Sequence, residues 1–164
     1  MGEQENIYNF RPVTEKDLPM IAAWLAEPHV AQWWGDANEQ FDLVSGDLDH
    51  PAMDQFIVVK DERLFGYLQC YQLSAWNTGF GPQPEGTRGI DQFIGEGDMI
   101  GRGHGSAFIR QFTGEQLQNG LPRIVTDPDP ENLRAVRAYE KAGFVRDRMV
   151  ETPDGPALLM VREP

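Results

Sequence analysis

Three glycines at alternate positions punctuate the stretch Met99-Ile100-Gly101-Arg102-Gly103-His104-Gly105-Ser106-Ala107. Glycine accepts positive φ and lets a ligand come up against bare backbone. The next residues, Phe108-Ile109-Arg110-Gln111-Phe112, carry apolar side chains at helical spacing. A helix opening directly after such a loop turns its unpaired N–H groups and positive dipole end toward the loop. The chemistry this suits is the binding of an anion, phosphate above all, with Arg102 at hand. A flexible turn that merely caps a helix is the competing reading. Asp91 is the second reactive candidate. Arg88-Gly89-Ile90-Asp91-Gln92-Phe93-Ile94 reads as a strand with an aspartate in its middle, where strand interiors disfavour aspartate. Such local conflicts mark functional sites; a place on the sheet's solvent face would explain it more plainly.

The other reactive residue types offer less. His29, His50 and His104 are scattered without metal-ligand spacing, so no metal is expected. Cys70 is the only cysteine, which rules out an intramolecular disulfide. Its apolar run, Tyr67-Leu68-Gln69-Cys70-Tyr71, suits a buried thiol better than a nucleophile. Trp33 and Trp34 are adjacent and cannot both face one core from a helix, so one is expected to pack and the other to line a pocket.

Composition bounds the partners. The 164 residues suit one domain, 1–164, with 40% hydrophobic and 24% charged residues as in ordinary globular chains. A formal net charge of -12 opposes nucleic acid or an anionic membrane as partner and favours a cationic one. Met1-Gly2-Glu3-Gln4-Glu5 lacks the basic and apolar regions of a leader, and Asn6 departs from the myristoylation pattern. With no apolar stretch of bilayer length, the expected location is the cytoplasm.

These residues must be positioned by regular elements. Residues 7–13 alternate as a strand, and Thr14 with Asp17 forms a capping box ahead of a helix that fades near Pro28. A short helix over 29–35 follows, stopped by Gly35. Residues 36–54 read as an irregular or partly helical connector. Strands at 55–60 and 64–73 form a hairpin around Asp61-Glu62-Arg63, with Gly66 marking a bulge. The loop 74–87 is long enough to be functional or mobile. After the 88–94 strand come the glycine loop, a helix to Asn119, a strand at 123–126, the turn Asp127-Pro128-Asp129-Pro130 and a helix over 131–142. Strands at 144–152 and 157–162, joined by Pro153-Asp154-Gly155-Pro156, complete the chain. The order predicts an α/β fold, one mixed and twisted central sheet of about seven strands with helices on both faces. Parallel pairing is expected around the glycine loop and Asp127, with ligands beyond the strands' carboxyl ends.

This arrangement resembles the GNAT superfamily of acetyl-CoA-dependent N-acetyltransferases. Gly103 and Gly105, with Gly101 added, match the family's loop motif; Ile100 stands where the family carries a polar residue. Asn132, Ala135, Tyr139 and Gly143-Phe144 match a second family block. Within the superfamily the chain is similar over almost its whole length to the aminoglycoside 6′-N-acetyltransferases. That similarity rests on Trp24-Leu25, Trp33-Trp34-Gly35, residues 88–92, 126–135 and 152–156. The resemblance implies a GNAT fold and acetyl-CoA as co-substrate, held by Ile94, Gly101, Arg102, Gly103, His104, Gly105, Ser106, Asn132, Ala135 and Tyr139. It implies Asp91 as base, directly or through water, and Tyr139 as acid toward the coenzyme sulfur. It further implies Trp33, Trp34, Asp91, Asp127 and Asp154 as the acceptor site.

The implied acceptor is a small polycationic amine, most simply the 6′-amine of an aminoglycoside, and the implied state a monomer or weak homodimer. Two alternatives stay open. Related N-acetyltransferases act on hydroxylated lysine in siderophore assembly, and a non-catalytic acyl-CoA- or drug-binding module would need the glycine loop alone.

Overall fold

The computed structural model describes residues 7–164; the reading of residues 1–6 as free of a leader or lipid signal lies outside them. Seven strands, β1 (Asn9–Pro12), β2 (Met53–Lys60), β3 (Arg63–Gln72), β4 (Arg88–Ile94), β5 (Ile124–Thr126), β6 (Val145–Thr152) and β7 (Gly155–Arg162), form one sheet in the order β1-β2-β3-β4-β5-β7-β6. Five α-helices, α1 (Leu18–Leu25), α2 (Pro28–Trp34), α3 (Ala37–Gly46), α4 (His104–Gln118) and α5 (Leu133–Lys141), cover it. None of the described helices is long and apolar enough to cross a membrane.

The strand alternation decides which helices lie on which face. On one face α4 and α5 bury Val58, Leu68, Cys70 and Ile90 against Phe108, Phe112, Val136 and Tyr139. On the other, α1, α2 and α3 bury Ile57, Tyr67 and Phe93. Phe80, from the loop between β3 and β4, seals the sheet over Val125, Leu159 and Val161. Inside the first core, burial pushes the Cys70 thiol up to about 12, so it stays protonated and packs as an apolar group.

Local chemistry explains most of the boundaries. Asp61 and Glu62 both take positive φ, the geometry of a two-residue hairpin turn whose twist matches its strands. Val58 pairs with Gly66 but Val59 with Leu64, so Phe65 is the extra residue of a bulge beside Gly66, as the sequence predicts. One expectation changes and one is sharpened. The Thr14–Asp17 box closes a 3-10 turn over Glu15–Asp17, with the Thr14 N–H donating to Asp17 at 2.8 Å, and α1 begins only at Leu18. The connector 36–54 contains a full helix, α3, capped where the Asp36 carboxylate accepts the Glu39 N–H at 3.0 Å. Ala37, Phe41 and Val44 supply its inward stripe, a pattern too sparse within a polar segment to fix the helix's bounds from sequence.

Among the described strands β4 and β5 are the only parallel neighbours, joined across α4. The strand after α5 does not sit beside β5: β7 inserts there antiparallel and β6 takes the edge. Parallel pairing of β4 and β5 covers only Arg88–Ile124 and Gly89–Val125. Beyond those two positions the strands part, and the split organises the site.

Candidate active site

Arg88 donates its N–H to Arg123 O, and Gly95 donates its own to Phe65 O. The even-numbered residues of β4 therefore direct their backbone groups toward β5, where past Gly89 no strand remains. The protein closes part of this gap with side chains. Thr126 Oγ1 donates to Ile90 O at 3.1 Å, and His29 Nε2 lies 2.9 Å from Ile94 O. The N–H groups of Gln92 and Ile94 point into the opening. A split sheet thus offers backbone donors in a cleft of about 1150 Å³ that reaches both faces.

Asp91 and Tyr139 approach this split from opposite sides. Asp91 shares its face of β4 with the α1–α3 layer, and Tyr139 rises from α5 beneath the other face. Both line the cleft. Gln69, directly opposite on β3, donates from Nε2 to Asp91 Oδ2 at 2.9 Å and accepts the Tyr67 hydroxyl at 2.9 Å. Burial, opposed by that Gln69 bond and aided by the charge of Asp154, raises the Asp91 carboxyl above its ordinary range. Asp127, one residue past β5, is pushed up to about 8, chiefly by burial and then by Asp91 and Asp154. Asp154 sits exposed in the β6–β7 turn, its N–H donating to Thr152 Oγ1 at 3.1 Å. Burial and the neighbouring carboxylates push the Tyr139 hydroxyl up, which keeps its proton on at neutral pH. Gln92 Nε2 stands 3.5 Å from that hydroxyl.

The wall facing these groups is aromatic and acidic. Trp34 is the packed member of its pair, edge-on to Phe93 at 5.0 Å and to Tyr67 at 6.0 Å, whereas Trp33 is 39% exposed at the rim. Asp36, Glu39 and Asp47 line the same side; Arg134 is the one Lys or Arg among the described lining residues.

The glycine loop opens at the other end. Gly101 and Gly103 have φ of +74° and +82°, left-handed values that L side chains resist. The first helical bond of α4 runs from Ala107 N–H to Gly103 O, leaving the N–H groups of His104, Gly105 and Ser106 without helical partners. Ser106 Oγ donates to Gly103 O at 3.2 Å. The His104 ring turns away, Nδ1 meeting the Tyr8 hydroxyl at 2.9 Å beside Phe65, so only its backbone faces the loop. A Cβ on Gly105 would meet nothing nearer than Ile94 Cδ1 at 3.9 Å. Packing does not require glycine there, and the bare backbone borders the cleft. These are the features of a phosphate cradle, and Arg102 is exposed beside it. Asn132 caps α5 by accepting the Ala135 N–H at 3.3 Å, which leaves its amide NH₂ free in the cleft that Ala135 and Ile94 also line.

Residues 13–152 match the acetyltransferase (GNAT) domain. The chain belongs to the GNAT acetyltransferase family. Over 93% of its length it is 37% identical to aminoglycoside N(6′)-acetyltransferase type 1 of Klebsiella pneumoniae, spanning 81% of that protein. Its fold is similar to that of AAC(6′)-Ib in complex with coenzyme A and kanamycin, with TM-score 0.85, 36% identity, and 95% and 94% of the two chains covered. A complex of the same enzyme with ribostamycin and coenzyme A matches with TM-score 0.86 at 34% identity, over 96% and 94% of the chains.

In this GNAT chain the structure gathers Asp91, Asp127, Asp154, Tyr139, Trp33, Trp34, Ile94, Gly105, Asn132 and Ala135 around one cleft, while Gly101, Arg102, Gly103, His104 and Ser106 lie outside its lining. Sequence reasoning passed over Gln69, Tyr71, Trp76 and His29. Gln69 carries the same signal as Asp91, a polar residue inside an apolar strand. The β3–β4 register that pairs the two is a tertiary fact.

Proposed function

We propose that this acetyltransferase moves the acetyl group of acetyl-CoA to a primary amine of a polycationic acceptor, the 6′-amine of an aminoglycoside antibiotic, and so confers resistance. Convergence of Asp91, Asp127 and Asp154 on one cleft carries this reading, because three carboxylates call for several positive charges on the acceptor. A lysine derivative brings fewer. The relatives are named as aminoglycoside acetyltransferases and crystallise with coenzyme A and aminoglycosides, which supports the same reading. The protein acts in the cytoplasm, as one domain over residues 1–164, as a monomer or weak homodimer.

In this scheme the N–H groups of residues 104–106, the loop glycines Gly101 and Gly103, and Arg102 hold the pyrophosphate. Ile94, Asn132, Ala135 and Tyr139 line the path of the coenzyme arm toward the split. Trp33 and Trp34 wall the acceptor, and Asp127 and Asp154 hold its ammonium groups. Asp91, its proton affinity raised by burial, takes a proton from the reacting ammonium. The freed nitrogen attacks the thioester carbon; a C–N bond forms, and the C–S bond breaks. The backbone donors of β4 face the developing oxyanion. Tyr139, still protonated, hydrogen-bonds to the leaving sulfur and gives up its proton as the bond breaks. As the amide forms, the second proton of the attacking nitrogen leaves and restores Tyr139, and Asp91 releases its own proton to solvent, so each turnover yields amide, free thiol and one proton.

Release of free thiol from acetyl-CoA with a panel of aminoglycosides, polyamines and N-hydroxylysine tests the proposal. Turnover is expected with aminoglycosides that bear a 6′-amine and not with those that carry a hydroxyl there. Turnover of N-hydroxylysine alone would make the chain a siderophore enzyme. Binding of acetyl-CoA without turnover of any amine would leave a sequestering module.

A further inference from the structure

Between β4 and the glycine loop the chain runs Gly95-Glu96-Gly97-Asp98-Met99. Negative charge at that point opposes an arriving pyrophosphate. Both carboxylates are held by one guanidinium from a distant hairpin. Arg63, the first residue of β3, forks onto Asp98, with Nη1 donating to Oδ2 at 2.8 Å and Nη2 to Oδ1 at 2.6 Å. Its Nη2 also donates to Glu96 Oε1 at 3.3 Å. The other Glu96 oxygen accepts the Trp24 indole N–H at 2.6 Å. Backbone contacts close the same junction. Phe65 O, at the β3 bulge, accepts the N–H of Gly95 at 2.8 Å and of Glu96 at 3.3 Å. A Cβ on Gly95 would fall 2.2 Å from the Trp24 ring.

The two carboxylates differ in how firmly they are fixed. Glu96 has Trp24 besides Arg63. Among the described side chains Asp98 is held by Arg63 alone, and it is 61% exposed. Arg63 keeps the Asp98 carboxyl below its ordinary range, and the charge of Arg102, four residues on, adds to that effect. Arg102 itself enters no ion pair among the described residues. Exposed ion pairs contribute little to stability, so the fold does not depend on this clamp. Its consequence lies in which cation Asp98 meets. A guanidinium fork takes both carboxylate oxygens at once and leaves Arg102 without a protein anion.

We propose that Arg63 is a positioning residue for coenzyme binding, which by holding Asp98 keeps Arg102 available to the coenzyme's pyrophosphate. This rests on the reading of the glycine loop, with Arg102, as the pyrophosphate cradle. Asp98 and the pyrophosphate compete for one guanidinium. Once released, Asp98 pairs with Arg102, and the coenzyme must break that pair and accept a carboxylate beside its phosphates. Glu96 stays anchored by Trp24, so Asp98 is the carboxylate that changes partner.

The experiment is a cycle of Arg63→Gln, Asp98→Asn and the double variant, with the dissociation constant of coenzyme A measured by titration calorimetry. Melting temperatures verify that each variant folds. Arg63→Gln should weaken binding by about 10-fold, the loss expected for a charge-assisted bond. Asp98→Asn alone should change it by less than about 2-fold. The double variant should return to within about 3-fold of the unmodified chain, because no carboxylate is left for Arg63 to hold. A double variant as weak as Arg63→Gln would mean that Arg63 shapes the loop or touches the coenzyme itself. Equal gains from Asp98→Asn in both backgrounds would mean two independent charges, and full affinity in Arg63→Gln would mean no role. Each of these results overturns the assignment. Arg102→Gln, with Arg63 and Asp98 intact, tests the underlying reading separately: unchanged affinity there would remove Arg102 from the pyrophosphate and this assignment with it.

Discussion

Asp127→Asn should stabilise the protein increasingly as the pH rises, while weakening its hold on a cationic acceptor. In the unfolded chain this carboxyl ionises near 3.8; in the folded protein it holds its proton to about 8, because burial and the charges of Asp91 and Asp154 penalise the carboxylate. The folded state therefore binds the proton more tightly than the unfolded state. Stability contributed by that proton is complete below about pH 4, declines as the pH rises, and is lost above about pH 8. The span corresponds to roughly 6 kcal/mol if the charge stays unrelieved. Water in the open cleft, and protonation of Asp91 in response, reduce the expected effect to about 2 kcal/mol or more. Asparagine keeps the shape and never ionises. Urea unfolding from about pH 4 to pH 9 should give coincident midpoints at the acid end, with the variant pulling ahead by about 2 kcal/mol near pH 8. Asp129→Asn, an exposed neighbour, serves as the control and should track the unmodified chain. Parallel curves for Asp127→Asn over the whole range would refute the reasoning, since they would mean a carboxylate that ionises in the fold as it does in water. The same substitution should raise KM for an aminoglycoside, the usual exchange between stability and a strained functional group.

Other perturbations separate the remaining roles. Gln69→Leu removes the bond that holds down the Asp91 proton affinity, so the acid limb of the kcat/KM profile should move to higher pH, by about one unit for a bond to a charged group; an unmoved limb would separate Gln69 from the base. Tyr139→Phe should lower kcat by about 100-fold, with the dissociation constant of acetyl-CoA unchanged in a direct binding titration; unaltered turnover would reduce Tyr139 to a core residue. Gly105→Ala puts a methyl on the bare backbone at the start of α4, where the nearest protein atom, Ile94 Cδ1, stands 3.9 Å away. The melting temperature should hold, while KM for acetyl-CoA rises by about 10-fold or more; an unchanged KM would place the coenzyme elsewhere.

The sequence by itself determined the elements and the chemical types. Strand alternation, the capping residue Thr14, the hairpin at Asp61–Glu62 and the glycines that end α2, α4 and α5 are local signals, set by backbone preference and by side chains a few residues apart. So is the oddity of Asp91 in a strand, and so are the left-handed glycines before α4. The partly helical connector did not yield the bounds of α3, because a stripe of three apolar residues in a polar segment becomes decisive only when a neighbouring helix exists to bury it.

Tertiary structure alone decided how these parts meet. That β4 and β5 pair over two positions and then part is a matter of strand pairing between distant segments, and no local pattern encodes it. The split brings Asp91 from one face and Tyr139 from the other to one opening. The β3–β4 register puts Gln69 on Asp91 and Tyr71 over Gly89. Proton affinities followed from that assembly: Asp127 is an ordinary turn aspartate in the sequence and holds a proton near neutrality only because folding buries it beside two other carboxylates.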